Sequence, residues 1–306
     1  RCVREYRKYA ILSPLSMVGE VAMEVLIPLV MADLYDYGIV LQDMTVVLTK
    51  SLQLVILALA SLCFGVASAV FASRAGTGFA KNLRHDVFKR IQTFSFENMD
   101  KFSTASLVTR MTTDISNAQM SYMMLIRIAV RAPLMLIFSV VAASIYGGKM
   151  AWAFAVMIPI LAGGLLTIAR FAMPAFRRVF RKYDRLNETI EENVRGMRVV
   201  KGFSREEYEK EKFASAADNI RRDFTRAERI VALNTPLMQI CVYANMIFVL
   251  LVGSRIAIES GGRTVDVGQI SAMLTYGMQI LMSLMMLTIS TPYFSSMARL
   301  RMFTVL

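Results

Sequence analysis

The sequence predicts an all-helical membrane protein with six transmembrane helices and long polar extensions of those helices. The first observation is composition: 56% of the 306 residues are hydrophobic and the mean hydropathy is +0.48, which is too apolar for an ordinary soluble domain. The second is that apolar runs of about 20 residues, the length that crosses a bilayer, recur six times. The third is that the 35 basic and 23 acidic residues lie almost entirely between those runs. Continuous apolarity excludes a β-barrel, whose strands alternate polar and apolar residues.

The six apolar runs are expected to be helices, because backbone groups in lipid must form their hydrogen bonds within one segment. They cover residues 11–32, 51–72, 124–146, 151–169, 233–254 and 268–291. Basic residues are concentrated at the N-terminus and after the second and fourth spans, whereas three aspartates follow the first span. By the positive-inside rule, both termini and the two long connections face the cytoplasm. We expect a multi-pass plasma-membrane protein, whose net charge of +12 reflects these loops and not a nucleic-acid partner.

The two long connections, residues 73–123 and 170–232, have the character of helical hairpins rather than loops. Residues 73–93 contain almost no helix breaker, and apolar residues recur there every four positions. The second connection is rich in acids and bases spaced three or four apart, which suits exposed helix faces. Each connection is interrupted once by a partly apolar segment, at 94–103 and at 195–203. We expect these tips to dock onto a cytoplasmic protein surface; packing between the helix ends is the alternative.

Four charged residues inside the predicted spans are the best candidates for a site, because placing a charge in lipid is costly and usually serves a function. Glu20 and Glu24 share one face of the first span, and Arg127 and Arg131 share one face of the third. One interpretation is a structural ion network, or arginines that extend to the membrane interface. The other is that Glu20 and Glu24 line a cavity and attract cationic amphipathic substrates.

Polar and methionine side chains of the last two spans extend the candidate substrate pathway. Methionine is flexible and polarizable, so a surface rich in Met can repack around unlike ligands, and the chain contains 23 of them. A plain bundle core or a lipid-facing surface is the alternative interpretation. The candidate residues are Gln239, Tyr243, Asn245, Met278 and Met282.

Neither catalysis nor metal binding is predicted within the segment. The single histidine, His85, lies among charged residues of a predicted exposed helix, and the three cysteines are far apart in sequence. No nucleophile–base pair and no spacing typical of metal ligands is found. The expected function is therefore a pathway across the membrane and its gating.

Several segments, in the same order and spacing, resemble the transmembrane domain of ATP-binding-cassette (ABC) exporters. Residues 102–114 (FSTASLVTRMTTD) and 192–203 (ENVRGMRVVKGF) are similar to the family's two coupling regions, and residues 296–306 are similar to its linker into the nucleotide-binding domain. Residues 127–134 and 276–286 look most like one half of the bacterial heterodimeric multidrug exporters. Each motif is weak alone, but the set covers essentially the whole chain.

The resemblance implies a dimer with a second half-transporter, identical or different, and contacts with nucleotide-binding domains through the two tips. It implies ATP-driven efflux of multidrug or lipid-like amphipathic molecules by alternating access. The residues it assigns to coupling are Phe96, Asp100 and Phe102 in the first tip and Gly196, Arg198, Lys201 and Phe203 in the second.

The sequence departs from a complete transporter in one respect, since no G-x-x-x-x-G-K-[ST] phosphate loop occurs in it. ATP and Mg²⁺ are therefore expected in a nucleotide-binding domain after residue 306 or on a separate chain. Peptide or lipid export and metal-chelate import are alternative cargoes for the same fold. A receptor or channel without energy coupling is a more distant alternative, because no selectivity filter or polar pore ring is visible.

Overall fold

The computed structural model describes residues 2–94, 104–260 and 265–303. Every secondary-structure element in these ranges is helical. In chain order the α-helices are α1 (Arg7–Asp33), α2 (Met44–Ile91), α3 (Thr104–Thr109), α4 (Ile115–Gly147), α5 (Trp152–Arg195), α6 (Met197–Gly202), α7 (Glu206–Ala232), α8 (Asn234–Ser260) and α9 (Val267–Phe303). Short 3₁₀ segments at Arg4–Tyr6 and Gly148–Ala151 and π-helical segments at Leu34–Ile39 and Arg110–Asp114 complete the described elements.

The second helix shows how far these elements exceed a bilayer. The Asp43 carboxylate accepts hydrogen bonds from the backbone N–H groups of Thr45 and Val46 and so caps the start of α2. With 48 residues, α2 is about 70 Å long at 1.5 Å per residue. The helix continues through residues 73–91, as the near absence of helix breakers there predicts.

Five helical runs among the described residues are long and apolar enough to cross a membrane: Arg4–Ile39, Met44–Ile91, Leu107–Arg195, Glu206–Ser260 and Val267–Leu287. The sequence predicts six spans, and the difference lies in the third run. That run contains both 124–146 and 151–169, which are separated only by the 3₁₀ segment that begins at Gly148. Gly148 has a φ of +49°, a backbone conformation that glycine adopts at little cost. The chain is a membrane protein; the count of six spans and the side on which the termini lie remain predictions.

The chain forms two compact units, Arg1–Ile158 with Val242–Leu306, and Pro159–Cys241. In the first unit, α1 packs on α2 and α4, and α4 packs on α9. Its core combines large residues such as Met17 and Tyr276 with small ones such as Ala132 and Ala143, all at most 1% exposed. Small residues at helix contacts allow the backbones of membrane helices to approach closely.

The second unit contains residues 159–195 of α5, the whole of α6 and α7, and the first turns of α8. The ring of Phe176 meets that of Phe224 edge to face, with ring centroids 6.0 Å apart. The Lys182 ammonium pairs with the Asp223 carboxylate at 2.5 Å. These contacts join α5 to α7 as the two arms of a helical hairpin, which agrees with the predicted helical character of residues 170–232.

Candidate substrate pathway and coupling surface

The structure brings three of the four predicted intramembrane charges into one cluster, the Arg131 cluster, formed by Glu20, Glu24 and Arg131. Glu20 and Glu24 lie one turn apart on α1, facing Arg131 of α4. The guanidinium donates through Nη2 to both carboxylate oxygens of Glu24 at 2.8 Å and through Nη1 to Oε1 of Glu20. One guanidinium therefore binds two carboxyl groups, so acidic side chains outnumber basic ones in the cluster.

Glu20 occupies the deepest position in this cluster. It is only 8% exposed, and its Oε2 atom has no hydrogen-bond partner among the described residues. The absence of a side chain at Gly65 makes room for this carboxylate, since a Cβ there would lie 3.2 Å from Cδ of Glu20. The close approach of α2 to α1 at this level is therefore part of the site.

Arg127 does not join the cluster. Its side chain is exposed, and it forms no ion pair with any residue that the structure describes. The i, i+4 spacing correctly places Arg127 and Arg131 one turn apart on α4, but only the second reaches the acidic residues of α1.

The polar candidates of the last two spans fall in different environments. Asn245 of α8 is 3% exposed, and its Oδ1 has no partner within the described chain. Its amide lies against Gly277 of α9, where a Cβ would be 2.1 Å from Nδ2. Tyr243 of α8 is exposed, and Gln239 is exposed in the second unit.

One face of α9 carries exposed methionines. Met278, Met282 and Met286 recur every four residues, and Met282 is 59% exposed. The opposite face, which includes Tyr276 and Ile280, is fully buried in the first unit. The methionines therefore do not belong to the core of this chain, so the core interpretation of Met278 and Met282 is not supported. Their surface faces lipid, a cavity or another subunit.

The second predicted tip forms a short helix with an exposed apolar surface. Gly196 precedes α6, which spans Met197–Gly202, and the side chains of Arg198 and Lys201 are exposed. Phe203 follows the helix and is 76% exposed. The first predicted tip, with Phe96, Asp100 and Phe102, lies outside the described residues.

Three contacts within the first unit were not anticipated from the sequence. The Tyr276 hydroxyl of α9 donates to the backbone carbonyl of Val25 in α1 at 2.8 Å. Ser139 of α4 donates to the side-chain carbonyl of Gln279 at 3.1 Å. Both contacts join helices that are far apart in sequence. A tyrosine within an apolar span indicates that its hydroxyl needs a hydrogen-bond partner, but the sequence does not say which residue that partner is.

The third contact joins the end of the first helical run to the beginning of α9. The Asp36 carboxylate accepts a hydrogen bond from the backbone N–H of Gly268 at 2.7 Å. A carboxylate is favourable at this position because the first N–H groups of a helix have no partner within the helix. A larger residue than glycine would clash at position 268, since a Cβ there would lie 2.3 Å from the backbone oxygen of Ala32.

No group of three or more His, Cys, Asp or Glu side chains within the described ranges has an arrangement that could hold a metal ion. The chemistry available at the Arg131 cluster is therefore electrostatic. Its groups can hold helices together or interact with a charged molecule.

A family model described as the ABC transporter transmembrane region matches residues 10–284. The chain belongs to this family. Its exporter-type transmembrane domain is 31% identical over 290 residues to an uncharacterized ABC transporter ATP-binding protein of Mycobacterium tuberculosis, covering 94% of this chain and 49% of the relative. An uncharacterized ABC transporter ATP-binding protein of Bacillus subtilis is 28% identical over 278 residues, which is 91% of this chain and 48% of the relative.

A relative with a named activity is more distant. The ATP-dependent lipid A-core flippase of Pseudoalteromonas translucida is 21% identical over 252 residues, covering 82% of this chain and 43% of the flippase. The transmembrane domain described here thus spans about half the length of the curated relatives it matches.

Proposed function

We propose that this transmembrane domain supplies the substrate pathway of an ATP-driven exporter of amphipathic small molecules. The family match over residues 10–284 is the observation that carries the proposal, because it covers the helices that would form such a pathway. In this proposal a second half-transporter completes the pathway at the plasma membrane, and both chain termini lie in the cytoplasm. A nucleotide-binding domain that binds ATP and Mg²⁺ supplies the energy.

The exposed face of α9 supports an amphipathic cargo. Met278 and Met282 offer adaptable apolar contact, and Tyr243 of α8 adds an aromatic ring with a polar end. A surface of this kind binds molecules by shape and apolar area rather than by a fixed set of hydrogen bonds. We therefore propose substrate contacts at these residues, and we keep Gln239, which lies in the second unit, and the buried Asn245 as pathway residues on the sequence argument alone.

The Arg131 cluster has two roles in the proposal. Arg131 binds both carboxylates and so holds α1 against α4. Glu24, which is half-buried, is the more accessible of the two carboxylates and attracts cationic substrates, because the cluster has one carboxylate more than guanidinium groups. Arg127, one turn along α4 and exposed, lies beside the same pathway.

The remaining function is coupling. We assign contacts with the nucleotide-binding domains to Gly196, Arg198, Lys201 and Phe203 of the second tip and to Phe96, Asp100 and Phe102 of the first. ATP binding changes the conformation only if ATP binds one global state more tightly than the other. The exposed apolar tip at Phe203 is suited to transmit that difference, since it needs a protein surface to cover it.

The test is ATP-dependent transport by the full-length polypeptide with its partner half in inside-out vesicles. Intact mass comes first: a mass near 65 kDa leaves about 250–280 residues beyond this segment, enough for a nucleotide-binding domain. We expect ethidium, a cationic dye, to accumulate with ATP and not with a non-hydrolysable analogue. Ethidium movement at the same rate with and without ATP would contradict the proposal and favour a channel or receptor.

The flippase relative supports lipid-like amphiphiles as a second cargo. A fluorescent phospholipid in the same vesicles tests this cargo, with ATP-dependent loss of dye from one leaflet as the expected result. Peptide export and metal-chelate import would be favoured if a peptide or a chelate moved with ATP while ethidium and the phospholipid did not.

Glu24→Gln tests the electrostatic role of the cluster. We expect transport of ethidium to fall more than transport of a neutral dye of similar size, because the substitution removes the excess negative charge and keeps the shape. An unchanged preference for the cation would remove Glu24 from substrate recognition and leave the cluster as a structural ion network. Glu188→Gln is the matched control, since it makes the same substitution at an exposed carboxylate of α5 that lies outside the proposed pathway.

A further inference from the structure

The first residues of the chain lie along the polar half of α2. We call residues 2–6 the N-terminal strap. The backbone carbonyl of Cys2 accepts a hydrogen bond from Nδ2 of Asn82 at 2.9 Å. The Arg4 guanidinium donates through Nη2 to both oxygens of the Asp86 carboxylate, at 2.9 and 3.2 Å.

A third contact continues the same line on α2. The ring of Tyr6 lies against Gly78, where a Cβ would be 2.2 Å from the ring. Gly78, Asn82 and Asp86 are spaced by four residues, so they lie on one face of the helix. The strap therefore follows two turns of α2 over residues that are suited to receive it: a glycine for the ring, an amide for the carbonyl and a carboxylate for the guanidinium.

The strap also borders the place where α2 packs on the beginning of α4. Cys2 packs against a small apolar core formed by Ala80 and Leu83 of α2 with Ile115 and Ala118 of α4. Residues 2–6 thus pack on α2 beside its contact with the beginning of α4, and they lead directly into α1.

The backbone of the strap is held in an unfavourable conformation. Arg4 has a φ of +31°, which is uncommon for a residue other than glycine. Such conformations persist where surrounding contacts determine them. Here the Arg4 side chain supplies one of those contacts, through Asp86.

We propose that the N-terminal strap positions the first hairpin relative to α1 and so couples nucleotide hydrolysis to transport; this inference rests on the proposed function. Because the strap is bound to α2 and is continuous with α1, the Arg4–Asp86 pair opposes movement of the hairpin away from α1. The pair is partly exposed, with 53% and 34% of the two side chains accessible. Exposed ion pairs contribute little to stability, so variants of this pair are expected to fold.

The experiment compares Asp86→Asn with Asp184→Asn in the full-length protein with its partner half. Asp184 is an exposed carboxylate of α5 in the other predicted hairpin and lies outside both tips, so the control removes the same charge away from the strap. Two quantities are measured: ethidium transported per ATP hydrolysed, and hydrogen–deuterium exchange of residues 79–91. For Asp86→Asn we expect exchange to rise roughly two- to five-fold, the range that an exposed ion pair supports, and transport per ATP to fall by a similar factor.

A double variant with the two charges swapped distinguishes a positioning role of the ion pair from general damage to the fold. Arg4→Asp combined with Asp86→Arg restores the pair with opposite polarity, and we expect both quantities to return to near wild-type values. Equal hydrogen exchange of residues 79–91 in Asp86→Asn and Asp184→Asn, or no recovery in the charge-swapped double variant, would overturn the proposed role of the strap. If the wild-type protein does not transport ethidium with ATP, the proposed function is wrong. The hydrogen-exchange measurements still show whether the strap restrains the hairpin.

Discussion

At the scale of single residues, the Arg131 cluster shows why charges persist inside an apolar bundle. Removing three ionised groups from water is costly, and mutual attraction compensates only when the geometry is good. Arg131 meets that condition, because its planar guanidinium binds Glu24 with two hydrogen bonds and Glu20 with a third. We therefore expect the cluster to set the rotation of α1 relative to α4 rather than to add much net stability.

Loss of the guanidinium should therefore be severe. In Arg131→Gln, the buried Glu20 and its neighbour Glu24 lose the guanidinium that pairs with both, and breaking a buried pair in this way costs about 3–5 kcal/mol. We expect a clearly lower thermal midpoint of unfolding in detergent, measured by light scattering from aggregation or by a thiol-reactive dye. Arg127→Gln, which removes an exposed charge, should leave the midpoint nearly unchanged.

The triple variant Glu20→Gln, Glu24→Gln, Arg131→Gln checks the cause. It leaves no unpaired charge, so it should be more stable than Arg131→Gln alone. If both variants have the same thermal midpoint, the loss of stability comes from lost packing of the arginine side chain and not from uncompensated charge.

The sequence identifies the members of this cluster but not its geometry. Four charges stand out because the spans contain no others, and i, i+4 spacing assigns them to two helix faces. Which arginine pairs depends on the rotation and depth of α4 relative to α1. Those are set by close packing at positions such as Gly65, whose importance no local pattern reveals.

At the scale of helices, glycines decide where two backbones meet. Gly268 lets the start of α9 lie against the backbone oxygen of Ala32, where its N–H binds Asp36. The helical character of residues 73–91 follows from their composition, and α2 includes them. The contacts between helices do not follow, because a glycine at a turn and a glycine at a helix contact look alike in one sequence.

Gly268→Ala tests the close contact between α1 and α9. The added Cβ would lie 2.3 Å from a backbone atom, so the helices must move apart and Asp36 loses its partner. Inserting atoms into a packed contact typically costs about 1–3 kcal/mol, and we expect a corresponding fall in the thermal midpoint.

Gly163→Ala is the matched control on another helix. A Cβ at Gly163 meets nothing within 4 Å, and alanine is about 1 kcal/mol more favourable than glycine inside a helix. The control should therefore be neutral or stabilising. Equal losses in the two variants would show that the contact at Gly268 is not tight.

At the scale of the whole molecule, the domain presents surfaces that it does not cover itself. The Met face of α9 and the tip around Phe203 are both apolar and exposed, and the chain spans about half the length of its curated relatives. The sequence indicates both surfaces through methionine spacing and the interruption of a helical pattern. Which surface meets lipid, cargo or another domain depends on chains that one sequence does not describe.

The exposed tip provides the test of coupling. Phe203→Ala removes an aromatic side chain that is 76% exposed, and surface substitutions usually change stability by no more than about 0.5 kcal/mol. We therefore expect an unchanged thermal midpoint but a clear loss of ethidium transport per ATP hydrolysed in the full-length protein, because the substitution removes the proposed contact with a nucleotide-binding domain. Phe180→Ala is the control, since Phe180 is also exposed, at 61%, but lies on an arm of the hairpin rather than at its tip. Equal effects of the two substitutions would place the coupling contact elsewhere.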